Sequence, residues 1–168
     1  PARQHAGVEF SLTENDTTRR IGRDFACYGK VLAKAGNDSL GAEYLRRAIV
    51  NDPRNGDLYD ELAKMATKAK KYDVAVQAYR EKFANIPKIS SGDYFTFGRA
   101  LYSAKNFVEA DSIFTKVTTL SPNWPNGHLY RGRTNGQLDS TYSSLSAIPH
   151  YQRYIEIVTA DSANTVKY

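Results

Sequence analysis

The chain has 168 residues, 41% of them apolar and 12% aromatic, with a formal charge of +5 and one cysteine. A lone Cys27 excludes an intrachain disulfide and a cysteine-based metal site, and no apolar run approaches the roughly 20 residues a membrane-spanning helix needs. The basic balance favours anionic partners, set against the plainer reading that it serves solubility.

Residues 1–21 lack a hydrophobic period, and Asn15, Asp16, Thr17 and Thr18 stand together. The stretch reads as an irregular leader in which Val8, Phe10 or Leu12 packs on the first helix pair and Thr17 or Thr18 caps the next helix. Opening on Pro1 without Met, and with no signal peptide, the chain reads as a piece of something longer. Phe25, Tyr28, Gly29 and Leu32 then fall at helical spacing, with Cys27 as a small buried residue among them. Ala35-Gly36-Asn37-Asp38 supplies a turn, and Leu45, Ala48 and Ile49 mark a second helix that stops at Pro53. Tyr59, Leu62, Ala63 and Ala66 begin a second pair, with Asp57 as its N-cap. The pair turns at Lys70-Lys71 and closes with Ala75, Tyr79, Phe83 and Pro87. The segment Tyr72–Pro87 recurs 35 residues later as Phe107–Pro122, aligning Ala75 with Ala110 and Tyr79 with Phe114. Between them lie Tyr94, Phe97, Gly98 and Leu101 and a turn at Lys105-Asn106. A fixed period in the thirties is the mark of stacked helix pairs. Asn126–Gly136 and Ala147–Val158 form a fourth pair across a longer linker, Gln137–Ser146. Pro149 there fits only a first helical turn, which starts the helix near Ser144 or Ser146.

These residues resemble the tetratricopeptide repeat. The small residues Gly29, Ala63 and Gly98, the aromatics Phe25, Tyr59 and Tyr94, and the prolines Pro53, Pro87 and Pro122 hold the family's positions. The resemblance divides the chain into repeats of about 22–55, 56–89, 91–124 and an altered 125–159, with 160–168 opening a truncated further segment. Ala66 and Lys82 depart from the pattern at single positions. The implied fold is all-α: a right-handed α-solenoid of tandem helix-turn-helix repeats. The run Asn123–Asp139 followed by Ile148–Ile157 is similar to tyrosine-rich bacterial envelope members of the family.

Catalytic chemistry has no foothold. His5, His128 and His150 are isolated in sequence, His128 and His150 read as surface residues of helices, and no phosphate loop, nucleophile elbow or zinc motif occurs. The sequence therefore predicts neither an enzyme nor a cofactor. What the repeat register does align is a column. In the family the first helices line a concave groove, and the groove positions here hold Lys30, Lys64, Arg99 and Arg133, with Lys34 and Lys68 one turn beyond the first two. Like charges at i,i+4 cost roughly 0.2–0.5 kcal/mol per pair, so the pattern is not a stabilising one. Phe95 and Tyr102 are expected to offer contact area beside it. The residues that would form the family's two-carboxylate clamp are absent: Ala26 and Lys30, Asp60 and Lys64, and Phe95 and Arg99 stand where it wants Lys and Asn.

The sequence thus predicts a non-catalytic interaction scaffold whose groove binds an acidic or extended segment of a partner protein. Nucleic acid is disfavoured by the small charge excess. The alternatives are a rigid spacer or self-associating module of a cell-envelope complex, joined through uncapped repeat ends, or an accessory domain of a larger enzyme. Five of the eleven aspartates precede Ser or Thr and then a small or aliphatic residue, as in Asp111-Ser112-Ile113. The triplet resembles a bacterial O-glycosylation acceptor and points to the periplasmic side of the envelope, with the cytoplasm as the alternative; turns and caps favour the same pairs.

Overall fold

The computed structural model describes residues 14–139 and 145–165. Among them run eight α-helices: α1 Glu14–Lys34, α2 Asp38–Asn51, α3 Gly56–Lys68, α4 Tyr72–Asn85, α5 Ser91–Ser103, α6 Phe107–Leu120, α7 Pro125–Leu138 and α8 Ile148–Thr165. The chain forms two compact units, Pro1–Leu62 and Ala63–Tyr168, whose boundary falls inside α3.

Small residues let paired helices approach. In the first unit α1 packs on α2 where Gly29 faces the backbone of Gly41; a Cβ there would lie 2.8 Å from the Gly41 carbonyl oxygen. In the second unit a Cβ on Gly98 would meet the Phe114 ring at 2.6–3.0 Å, and one on Gly132 would meet the Tyr151 ring at 2.8–3.0 Å. Each glycine is thus the seat of a ring or backbone from the second helix of its own pair. Around these contacts Leu45 and Ala48 are buried in the first unit, and Ala75, Leu101, Phe114 and Val117 in the second.

The turns inside the pairs share one closure. The amides of Asn37, Lys71 and Asn106 donate to the carbonyls of Leu32, Ala66 and Leu101 at 2.8–2.9 Å. The residue before each amide is left-handed: Gly36 at φ +86°, Lys70 at +58° and Lys105 at +62°. This is the Schellman pattern. Glycine adopts it freely, whereas each lysine gives up roughly 1–2 kcal/mol to do so.

The loops between pairs differ. Tyr59 donates its hydroxyl to the Pro53 carbonyl at 3.0 Å, and His128 donates Nε2–H to the Pro122 carbonyl at 2.9 Å. Both side chains stand six residues after their proline, so the histidine repeats the tyrosine's task. After Pro87 the loop is one residue longer before Tyr94, and another device starts the helix. Ser90 Oγ accepts from the Asp93 amide at 3.1 Å while Asp93 Oδ2 accepts from the Ser90 amide at 2.8 Å, a capping box. Lys82 of α4, only 4% exposed, donates to Asp93 Oδ1 at 2.5 Å. Burial raises the Asp93 carboxyl's pKa, but hydrogen bonds from Lys82 and Ser90 outweigh it and hold the group below its ordinary 3.8.

Several sequence expectations change. The first helix begins at Glu14, inside the stretch read as irregular leader, so Thr17 and Thr18 lie within α1 rather than at its cap. Val8, Phe10 and Leu12 lie outside the described residues. Cys27 is exposed, not buried, and Tyr28 is 49% exposed, with its edge toward Tyr44. Asp57 sits in the first turn of α3, one residue past its start, and so is not its N-cap. The last helix begins at Ile148 with Pro149 in its first turn and runs on to Thr165, so residues 160–165 continue α8 rather than opening a further segment. Residues 140–144 of the long linker lie outside the described residues.

His150 of α8 is half-buried rather than on the surface. Arg131 and His128 of α7 and Asp111 of α6 act on it. Burial, then Arg131, lower its pKa below 6.5; Asp111 opposes this and His128 adds to it. A histidine whose folded pKa is depressed stabilises the fold fully above pH 6.5 and loses that contribution as pH falls. The thermal midpoint is therefore expected to drop between pH 7.5 and 5, with a shallower drop for His150→Gln. An NMR titration placing the His150 ring above 6.5 would contradict this account.

Candidate functional site

Three of the four column cations lie in the second unit, and they are not equivalent. Arg99 extends from α5 with its guanidinium carbon 6.0 Å from the Phe95 ring centre and 5.7 Å from that of Tyr130 on α7. Arg133, three residues beyond Tyr130, lies 5.1 Å from the same ring. One tyrosine therefore carries two guanidinium groups. Such contacts are worth about 0.5–1 kcal/mol each at exposed sites, and they orient the planar groups while leaving N–H edges available to an anion.

Tyr130 belongs to an aromatic cluster. Its centre is 5.3 Å from Phe95, 5.5 Å from Phe114 and 6.1 Å from Tyr102; Phe95 also lies 4.7 Å from Trp124. Phe95 is 9% exposed. The expectation that it offers contact area to a partner is therefore corrected: Trp124 at the end of its own repeat and Tyr130 from the next cover it, and it supports Arg99 from below. Tyr102 is half-buried, edge-on to Phe107 at 5.4 Å.

Lys64 and Arg99 come together at a cavity of about 220 Å³ lined by α3, α4 and α5. Thr67, Tyr79, Thr96 and Ser103 share its wall, and no acidic residue does. Lys34 is exposed at the end of α1, and Lys68 is exposed in the last turn of α3, outside this lining. Lys30 belongs to the first unit, where its ammonium lies 3.9 Å from the Glu61 carboxylate. Both side chains are more than a third exposed, so the pair contributes at most about 1 kcal/mol.

The cations were legible in the sequence; what they face was not. Tyr130, Thr67, Thr96, Tyr79 and Ser103 carried no periodic signal that set them beside the column. The spacing of Phe95 to Arg99 and of Tyr130 to Arg133, one helical turn each, was the available clue. Among the described residues no group of three His, Cys, Asp or Glu side chains is placed to hold a metal ion. Nor is any described helix long and apolar enough to cross a membrane.

Paired helices with glycine seats, Schellman turns and a proline after three of the four second helices give this chain the tetratricopeptide-repeat fold, all-α in class. Among solved structures it is similar to the C-terminal part of a TPR repeat-containing protein from Cytophaga hutchinsonii, 30% identical with a TM-score of 0.76. That match covers 88% of this chain and 57% of the other, so the chain spans little over half of that structure. It is also similar to MamA of MSR-1, 25% identical with a TM-score of 0.68 over 83% of this chain and 78% of that one. A further MamA structure shares the fold at 15% identity, with a TM-score of 0.70, covering 88% of this chain and 78% of its own. No family model matches the sequence, and no curated protein matches it. These neighbours support an interaction scaffold as the general class.

Proposed function

We propose that the chain is a non-catalytic scaffold that binds an acidic, extended segment of a partner protein along the first helices of its repeats. One observation carries this reading: Lys64 and Arg99 line a cavity without an acid, beside a second guanidinium held on Tyr130. Cations that stabilised the fold would be expected to sit against carboxylates, as Lys82 does against Asp93. A single strand of nucleic acid would need rings free to stack on bases, and Phe95 is buried.

The test uses a fluorescently labelled peptide of alternating Glu and Ser with an amidated C-terminus. Replacing Lys64→Glu and Arg99→Glu together should weaken its binding at least about tenfold and flatten the salt dependence. Equal affinity and equal salt slope for the variant, with an unchanged helical circular-dichroism spectrum, would overturn the proposal.

A further inference from the structure

The column cations repeat a second relation. Lys30, Lys64 and Arg99 each share a contact or a cavity with the next first helix at the residue three before that helix's own cation. Lys30 meets Glu61, three before Lys64. Arg99 meets Tyr130, three before Arg133. Lys64 shares its cavity with Thr96, three before Arg99. So the same place is held by a carboxylate at the first step, a short hydroxyl at the second and an aromatic ring at the third.

The middle step leaves room. Thr96 ends at its hydroxyl, and that hydroxyl donates within its own helix, to the Gly92 and Asp93 carbonyls at 3.0–3.1 Å. Thr67 across the cavity likewise donates to the Ala63 carbonyl at 2.8 Å. With their protons committed, both threonines present lone pairs and repel an anion's oxygens rather than bind them. The charged donors for an anion come from Lys64 and Arg99, with the Ser103 hydroxyl in the same wall. No acid lines the wall to neutralise them.

Resting on the scaffold reading above, we infer that this cavity seats the carboxylate of an aspartate or glutamate side chain from the partner, in the place that Glu61 takes opposite Lys30. The carboxylate accepts from Lys64 and Arg99. The threonine oxygens are left as acceptors for N–H groups of the partner's backbone. The chain's own Glu61 shows which chemical group this helix-to-helix geometry takes.

A substitution that supplies the missing carboxylate from within tests this directly. Thr96 is exposed on α5 and tolerates a longer side chain. With the amidated Glu-Ser peptide as probe, Thr96→Glu should weaken binding about tenfold or more by occupying the cavity itself. Thr96→Gln, which is as long but uncharged, should retain most of the affinity. Ser112→Glu, the same change in net charge at an exposed position of α6, should cost less than about twofold. Equal losses for Thr96→Glu and Ser112→Glu would overturn the inference while leaving the scaffold reading intact. If the double charge reversal of Lys64 and Arg99 also had no effect, the scaffold reading itself would fail. A phosphoserine version of the peptide binding more than about tenfold tighter than the Glu version would assign the cavity to phosphate and likewise overturn the carboxylate inference.

Discussion

Replacing Asp93 with alanine is expected to destabilise the second unit by about 3 kcal/mol. The reason lies in Lys82, whose side chain is 5% exposed and whose ammonium meets Asp93 Oδ1. Removing the carboxylate takes a charged hydrogen bond from a buried ammonium and also dissolves the capping box at Ser90. Lys82→Met should cost far less, because a methionine of similar length fills the same space without a charge to solvate. On the Lys82→Met background, Asp93→Ala should fall to about 1 kcal/mol, the worth of a cap alone. Urea denaturation of the four proteins closes the cycle; additive losses would show that the two groups do not act as a pair. The pair also sets a pH window. Since the Asp93 carboxyl is held below its ordinary 3.8, its stabilising contribution is complete above that value and disappears as pH falls through the lower folded value. Asp93→Ala should abolish that part of the acid sensitivity.

Phe114→Ala is the second large effect, with an expected loss of about 3–5 kcal/mol. Phe114 is completely buried, with ring centres at 6.0 Å to Phe95 and 5.5 Å to Tyr130. It lies under the aromatic platform that supports Arg99. The same ring fills the space above Gly98, which makes a coupled prediction. Gly98→Ala alone should cost about 1–3 kcal/mol through overpacking. Made together with Phe114→Ala, it should be close to neutral, because its obstacle is gone. An undiminished cost for Gly98→Ala in the Phe114→Ala protein, measured by thermal or urea unfolding, would mean that the glycine is needed for some other reason.

The helices and the seats between them were legible because repetition amplifies weak signals. Gly29, Gly98 and Gly132 each fall in the register that brings a ring or a carbonyl over them, and three aligned turns declared themselves through Gly36, Lys70 and Lys105. The column of Lys30, Lys64, Arg99 and Arg133 was legible on the same ground. Burial at its flanks was not. Phe95 looks outward by helical phase, yet Trp124 and Tyr130 close over it from a segment some thirty residues later, and periodicity within one helix contains no trace of that. Lys82 showed only as a departure from pattern, since its meaning depends on Asp93 across a loop. The start of α1 at Glu14 was hidden because Asn15, Asp16, Thr17 and Thr18 have the composition of a cap, and local propensity yielded to the rest of the helix.

The Schellman turns have a consequence for how such a chain tolerates change in length. Gly36 and Lys70 are 34 residues apart and Lys70 and Lys105 are 35, yet all three turns close with the same backbone hydrogen bond. The extra residue lies after Pro87, where Ser90 and Asp93 restart the helix, and not inside a pair. Each turn thus works as a metronome: it fixes the phase between two helices and passes no slack onward. The loops after the prolines are where the beat is free to stretch. Insertions should therefore accumulate there, and a residue gained inside a turn would rotate the faces of the second helix by about 100° out of step.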